Sequence, residues 1–86
     1  MIINTNQNFD LRNIARYRKS TMLNQTLFWQ QFGSTQSTGS RYEKGKEIPM
    51  PLAMLLLLHA SGTISDSHLN WAAANFPGDY PTATSR

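Results

Sequence analysis

The chain has 86 residues, which suffices for one domain with a single hydrophobic core and leaves no room for a second lobe. It has no cysteine, which excludes disulfides and thiolate metal sites, and its two histidines cannot form a structural zinc site alone. The longest apolar run has seven residues, whereas a membrane span needs about twenty. The N-terminus has no signal-peptide pattern. These features predict a small cytoplasmic domain without a membrane segment.

The basic residues are concentrated in the first half of the chain. Between residues 10 and 50, seven lysines and arginines stand against three acidic residues, a surplus of +4 in a chain of net charge +3. From residue 51 onward, one arginine stands against two aspartates. Charge alone leaves two interpretations open, a polyanion partner that docks on the first half or an ordinary solvated surface.

The chain opens with polar, asparagine-rich residues, and we expect a flexible arm over residues 1–9. A first helix is predicted from Asp10 to Ser20. Leu11, Ile14 and Tyr17 recur at spacings of three and mark its buried stripe.

Two short helices follow with a tight link between them. Asn24 is a suitable N-cap for a second helix from Gln25 to Phe32, and Gly33 can end that helix. Thr35 is placed to cap a third helix from Gln36 to Lys44. The third helix is polar almost throughout and contains a glycine, so it needs support from its neighbours to be stable.

The second half of the chain predicts two more helices. A fourth helix, from Pro51 to Ala60, is rich in leucine, which predicts a central and mostly buried helix. Ser65 can cap a fifth helix that runs through Asn75. The glycine, proline, threonine and serine content of residues 77–86 predicts a loose C-terminal tail.

Five short helices without a strand signal predict an all-α domain, a compact bundle over residues 10–76. Within it, an ordered pattern runs through Leu23-Asn24-Gln25, Phe28-Trp29, Phe32-Gly33-Ser34-Thr35-Gln36-Ser37 and Arg41-Tyr42-Glu43-Lys44-Gly45. A glycine lies eight residues after a capped glutamine, Thr-Gln-Ser follows, and an aromatic-Glu-x-Gly sequence ends the pattern. The pattern resembles the helix-turn-helix of lambda-repressor-like and Cro-like regulators, the Xre family.

The resemblance implies a DNA-binding site, because in such a motif the third helix inserts its N-terminal residues into the major groove. The residues at the matching positions are Gln25, Thr35, Gln36, Ser37, Ser40, Arg41, Lys44 and Lys46. Gln25 would bond a phosphate through its backbone N–H and side chain. Gln36 and Arg41 would read base edges, since glutamine suits adenine and arginine suits guanine. Lys44 and Lys46 would contact phosphates.

The same resemblance also predicts structural roles for two pairs of residues. Arg18 and Glu43 match positions that often form an ion pair between the first helix and the end of the third. Trp29 stands where the family usually has alanine, and Gly39 where it usually has isoleucine or valine. We interpret these two departures as a volume exchange, in which the indole fills the space that the missing side chain vacates.

No arrangement of residues favours an enzyme. The acidic residues are scattered, there is no nucleophile elbow, and the glycines lie at helix ends or within helices rather than in a phosphate loop. No cofactor or metal site is expected.

Trp71 lies off the apolar stripe of the fifth helix and, with Leu58, indicates a dimer interface. The alternative is that Trp71 covers the edge of the core. A dimer would read an inverted repeat with half-sites about one helical turn apart. We therefore expect a homodimeric, sequence-specific regulator of transcription, most simply a repressor, that binds double-stranded operator DNA without a cofactor. The alternative is a protein-interaction or antitoxin-like module with the same fold.

Overall fold

A computed structural model describes residues 7–76 as a packing of five α-helices. A 3-10 turn, Leu11–Asn13, leads into α1, Ile14–Ser20, and is followed by α2, Gln25–Gln31, α3, Gln36–Glu43, α4, Met50–Ala60, and α5, Asp66–Ala74. Residues 7–76 contain no strand, and the all-α prediction is confirmed. The ends of the chain, residues 1–6 of the predicted arm and the predicted tail, lie outside the described residues. No helix in the described part is both long and apolar enough to cross a lipid bilayer.

The helices begin at the caps that the sequence offers. The Asn24 side chain accepts a hydrogen bond from the Leu27 N–H at 2.9 Å, and the Thr35 side chain accepts one from the Thr38 N–H at 3.1 Å. After α2, Gly33 adopts a φ of +77° that most side chains would resist. These local features hold α2 and α3 close together with only four residues between them.

The start of the bundle differs from the predicted single helix. Asp10 accepts a hydrogen bond from the Arg12 N–H at 2.9 Å, as an N-cap should, but residues 11–13 wind as a 3-10 turn. Leu11, at the start of this turn, is exposed while Ile14 and Tyr17 are buried, so the buried stripe begins at Ile14 and not at Leu11. Phe9, in the predicted arm, packs edge-on against Tyr17, with ring centroids 5.3 Å apart.

The core is rich in aromatic rings, and α2 with the residue that follows it supplies three of the four buried ones. Phe28 and Trp29 are fully buried, and Phe28 packs edge-on against both Trp29 and Tyr17. The buried apolar side chains are Ile14, Tyr17, Phe28, Trp29, Phe32, Leu56, Ala60 and Leu69. Of the α3 residues, only Gly39 is buried as a whole residue, while Gln36, Ser37 and Arg41 are exposed.

The prediction that the fourth helix is central and mostly buried is wrong. Within α4 only Leu56 and Ala60 are buried, whereas the side chains of Met54, Leu57 and Leu58 are 57%, 45% and 37% exposed. Four short partner helices cannot cover all sides of α4, since a small domain buries a limited fraction of its surface. The outward residues Met50, Met54, Leu57 and Leu58 form an apolar surface that we call the α4 outer face.

A chain of hydrogen bonds joins α1, α4 and α5. Tyr17 Oη lies 2.7 Å from His59 Nδ1, and His59 Nε2 lies 2.9 Å from Asp66 Oδ1. Because a carboxylate only accepts, Nε2 carries a proton, and in the neutral imidazole Nδ1 accepts from the tyrosine hydroxyl. The hydrogen bond from His59 holds the pKa of Asp66 below its ordinary value, against an opposing effect of burial. Burial, and then the charge of Asp66, raise the pKa of Tyr17.

Candidate nucleic-acid interface

The outward side of α3 is a polar, solvent-facing surface at the helix-turn-helix. Gln36, Ser37 and Arg41 are exposed, and Ser40 is half-buried. Immediately after α3, Lys44 and Lys46 are also exposed. The structure therefore brings the predicted base-reading residues onto one short helix, with two cations beyond its C-terminal end.

The polar helix α3 is held in place by the contacts that its inner side makes with α2. At Gly39 the backbone of α3 lies so close to Trp29 that any Cβ would overlap the indole ring. Tyr42 packs on the same indole with ring centroids 5.4 Å apart. The predicted volume exchange between Trp29 and Gly39 is confirmed, and it anchors α3 to α2 through close contact rather than through aliphatic side chains.

The carboxylate of Glu43 is the centre of a hydrogen-bond network at the end of α3. Arg18 donates from Nε to Oε2 at 2.7 Å and from Nη2 to Oε1 at 3.1 Å. Gln25 donates to Oε1 at 2.9 Å, and the Trp29 indole N–H donates to Oε2 at 2.8 Å. Each carboxylate oxygen thus receives two donors, and the network ties α1 and α2 to α3.

The same network determines the charge state of Glu43. The Glu43 side chain is only 6% exposed, and burial on its own would raise the pKa of that carboxyl. The hydrogen bonds from Arg18, Gln25 and Trp29 outweigh burial, so the pKa of Glu43 lies below its usual value. Glu43 is therefore ionised at neutral pH and its charge is balanced by Arg18, as the resemblance implied for this pair.

Gln25 connects this network to the first residue of α3. Its Nε2 donates to Glu43, and its Oε1 accepts a hydrogen bond from Gln36 Nε2 at 2.6 Å. Gln25 is also the first residue of α2, so its backbone N–H is among those that an α-helix leaves without an internal partner. Its side chain keeps one N–H for any further contact, because the other N–H and the oxygen are engaged.

Thr35 caps α3, as the sequence predicts, and this role is separate from its predicted contact with DNA. Its hydroxyl caps α3, accepting from the Thr38 N–H and donating to the Thr38 hydroxyl at 3.0 Å. Thr35 is half-buried, unlike its exposed neighbours Gln36 and Ser37.

The positive charge at this end of the molecule is carried by few residues. Arg18 is engaged with Glu43 and with the Leu23 carbonyl at 3.1 Å, so it does not add to the outward field. Arg41, Lys44 and Lys46 remain exposed. Within residues 7–76, no group of three or more histidines and carboxylates could hold a metal ion.

Sequence reasoning missed two of the donors to Glu43. The resemblance gives Trp29 only a role in filling volume, although a buried indole N–H needs an acceptor and therefore signals a nearby carboxylate or carbonyl. Gln25 was assigned to a phosphate, and its bonds to Glu43 and Gln36 depend on the distance between two helices, which sequence spacing does not give.

Comparison with known protein families agrees with this geometry. A family model described as the RsaL-like HTH (helix-turn-helix) domain matches residues 15–59, a little over half of the chain. The match spans α1, α2, α3 and nearly all of α4. No curated protein and no solved structure matches the chain.

Proposed function

This chain belongs to the family of RsaL-like helix-turn-helix domains, and we propose that it is a sequence-specific regulator of transcription of the Xre/Cro-like type. In this proposal it is a repressor. It reads double-stranded operator DNA with α3 in the major groove and blocks the polymerase by occupying the promoter. It needs no cofactor for this action.

The outward side of α3 is the observation that carries the proposal. A short, polar helix of low intrinsic stability is rigidly fixed by Trp29, Tyr42 and Glu43. On its opposite side Gln36, Ser37 and Arg41 are exposed, and Gln36 is held by its hydrogen bond to Gln25. Rigid presentation of polar side chains is what base reading requires, because each bidentate contact depends on geometry. Gln36, Ser37, Ser40 and Arg41 have the donors and acceptors for it.

Phosphate contacts would orient α3 in the groove. The N-terminus of α2, at Gln25, offers backbone N–H groups to one phosphate, and Thr35 lies at the N-terminus of α3. Lys44 and Lys46 are exposed beyond the end of α3 and would act as point charges on the same backbone. These contacts add affinity and register, while the base-reading residues add sequence preference.

We propose that the functional state of the protein is a homodimer. The helix α4 has no charged residue, and its outer face is apolar. A helix that is apolar on all sides is normally covered. A second copy can cover the α4 outer face without bringing like charges together, and exposed Trp71 offers a further apolar contact. Two copies related by a two-fold axis would read an inverted repeat with half-sites about one helical turn apart.

The experiment that tests this function is selection of bound duplexes from a random DNA pool. We expect an enriched inverted repeat, and we expect the Arg41→Ala variant to lose preference at one base position while keeping the others. Arg12→Ala, which removes an exposed arginine outside α3, should leave the selected sequence unchanged. Failure to enrich any sequence would contradict the proposal.

The apolar α4 outer face also favours a second candidate, a protein-interaction or antitoxin-like module whose partner covers that face. The two functions differ in their response to salt. A DNA binder that neutralises Z phosphates loses affinity with a log–log slope of about −0.9Z, whereas an apolar protein interface is nearly indifferent to salt.

A further inference from the structure

Methionine supplies all of the sulfur in this chain. The sequence has four methionines and no cysteine. Among residues 7–76 the methionines are Met22, Met50 and Met54, which are 90%, 72% and 57% exposed. An oxidant that reaches the folded protein therefore meets exposed thioethers, and there is no thiolate to consume it first.

Two of these methionines lie on the same side of one helix. Met50 and Met54 are four residues apart at the start of α4, a spacing that places their side chains on one face. Together with Leu57 and Leu58 they form the α4 outer face. Two of the four residues of the proposed dimer surface therefore carry an oxidisable sulfur. Met22 lies elsewhere, in the link between α1 and α2.

Oxidation converts a methionine from an apolar into a polar residue. Hydrogen peroxide transfers one oxygen to the thioether, so that its O–O bond breaks and an S–O bond forms. The sulfur is oxidised by two electrons, and the other peroxide oxygen leaves as water with both hydrogens. The sulfoxide oxygen is a hydrogen-bond acceptor, and burying it without a donor is costly. The α4 outer face consists of leucine and methionine side chains, neither of which offers a donor.

We propose that Met50 and Met54 form a redox modification site, at which oxidation by a peroxide separates the homodimer and releases the operator. The inference rests on the proposed function, because it concerns the regulation of the same dimer. The monomer exposes both sulfurs and the dimer covers them, so oxidation traps the monomer and draws the equilibrium away from the dimer. A methionine sulfoxide reductase, supplied with a dithiol, removes the oxygen as water and restores the thioether.

The monomer fold is compatible with both oxidation states. The buried residues of α4 are Leu56 and Ala60, and neither Met50 nor Met54 belongs to the core. In the monomer a sulfoxide oxygen at either position bonds to water, so it carries no cost of burial. The sulfoxide becomes costly only where a partner covers it. Loss of the dimer and loss of the fold can therefore be measured separately.

Three variants separate the chemistry from the position. The double variant Met50→Leu/Met54→Leu keeps the α4 outer face apolar and removes its sulfur. Met22→Leu is the matched control, because it removes an exposed methionine outside that face. The double variant Met50→Gln/Met54→Gln places two uncharged polar side chains on the face without any oxidant. Thermal unfolding shows that each variant is folded.

The experiment is treatment of the full chain and each variant with hydrogen peroxide. Mass spectrometry locates the sulfoxides, and sedimentation equilibrium and operator affinity are measured before and after treatment. Each sulfoxide at Met50 or Met54 should raise the dimer dissociation constant by roughly tenfold or more, and operator affinity should fall with it. A methionine sulfoxide reductase with a dithiol should reverse both changes.

The variants have distinct expected responses to peroxide. Met50→Leu/Met54→Leu should keep its own dissociation constant through the treatment, whereas Met22→Leu should respond as the unaltered chain does. Met50→Gln/Met54→Gln should be weakened as a dimer before any treatment. A dimer that persists with sulfoxides at Met50 and Met54 would overturn the inference, and so would dissociation of the double leucine variant by peroxide. Either result leaves the proposed function intact.

The rate of oxidation provides a second test in the unaltered protein. Raising the protein concentration above the dimer dissociation constant should slow the oxidation of Met50 and Met54 and leave that of Met22 unchanged. Equal rates at low and high concentration would show that the dimer does not cover these two residues, and the inference would fail. If the chain is monomeric before treatment at every concentration, the proposed homodimer fails and this inference fails with it.

Discussion

The indole of Trp29 occupies the space in which a side chain at Gly39 would have to lie. This relationship brings the backbone of α3 against a fully buried aromatic ring of α2. It also leaves the indole N–H directed at Glu43, at 2.8 Å from Oε2. One aromatic residue therefore sets both the spacing of the two helices and part of the network at their end.

Gly39→Val should destabilise the fold by about 1–3 kcal/mol, because the added side chain overlaps the Trp29 indole. Trp29→Ala should cost about 3–5 kcal/mol through the cavity it leaves. In the double variant, valine fills part of that cavity, so the loss should be smaller than the sum of the two single losses. Urea unfolding of the four proteins measures this, with Ser37→Ala as an exposed control in α3. Additive losses would show that the two positions do not interact.

Stability should fall in acid partly through Glu43. The pKa of Glu43 is lowered by folding, so its ionised form stabilises the fold above its ordinary pKa of about 4.3. This stabilisation is lost as the pH falls through the lower, folded-state pKa. Glu43→Gln should be less stable by about 1.5–3 kcal/mol at neutral pH, since Arg18 loses its charged partner. The gap should narrow in acid, and thermal midpoints between about pH 3 and pH 6 measure it.

Asp66 provides an internal comparison for the acid profile. Its pKa is also lowered, by the hydrogen bond from His59. The Glu43→Gln variant should therefore keep a shallower dependence on pH rather than lose it entirely. An acid profile as steep as that of the unaltered protein would contradict the assignment to Glu43.

Tyr17→Phe should destabilise the bundle by about 1–3 kcal/mol, because it leaves His59 Nδ1 without its donor inside the structure. The ring itself remains, so the edge-on contacts with Phe9 and Phe28 are kept. Chemical unfolding measures the loss. DNA affinity of the folded fraction should be unchanged, since Tyr17 lies in the core and away from the outward side of α3.

Lys44→Ala and Lys46→Ala should each lower the salt dependence of DNA affinity. If each lysine neutralises one phosphate, the log–log slope should become less steep by about 0.9 per substitution. Lys19→Ala removes the same charge from an exposed position in α1 and should leave the slope nearly unchanged. Affinities titrated over a range of salt concentrations measure the slopes. A reduction that is the same for all three lysines would indicate a diffuse charge effect rather than specific phosphate contacts.

Leu57→Lys should shift the proposed homodimer toward monomer, because it places a charge in the middle of the α4 outer face. Met22→Lys is the control, since Met22 is highly exposed and lies in the link between α1 and α2. Sedimentation equilibrium at several protein concentrations reports the association. A monomeric unaltered protein would contradict the proposed dimer, and an unaffected dimer would move its interface away from α4.

Three of the helices, α2, α3 and α5, were predictable because each of their starts has a local signal. Asn24, Thr35 and Ser65 cap the helices that follow them, and Gly33 ends α2 with a positive φ. These are properties of a few consecutive residues. The observed bounds of α2 to α5 differ from the predicted ones by no more than one residue at either end.

The burial of α4 was not predictable from its composition. A leucine-rich helix is central when other elements surround it, and whether they do depends on the arrangement of α1, α2 and α5 in space. The four consecutive leucines from Leu55 to Leu58 make the helix apolar on every side. The pattern therefore does not show how much of the helix packs against the core. In the structure Leu56 is buried, while Leu57 and Leu58, which widen the apolar stripe, are exposed.

The sequence predicted the positions of the residues on α3, the ion pair between Arg18 and Glu43 and the contact between Trp29 and Gly39, but not the other hydrogen bonds of the site. The residues of α3 that face outward follow from the helical repeat and from the resemblance to known regulators. The bond from Gln36 to Gln25 and the indole bond of Trp29 join residues that are 11 and 14 positions away from their partners. Such bonds depend on how two helices meet, which no local pattern encodes.

The contrast between the two tryptophans gives the protein two separate optical reporters. Trp29 is fully buried where α2 meets α3, whereas Trp71 is 68% exposed. In a Trp71→Phe chain, fluorescence comes from Trp29 alone and its emission shifts when the two helices part. In a Trp29→Phe chain, the signal comes from Trp71 at the surface and responds to whatever covers it. Unfolding and assembly can thus be followed separately by intrinsic tryptophan fluorescence, without an added dye.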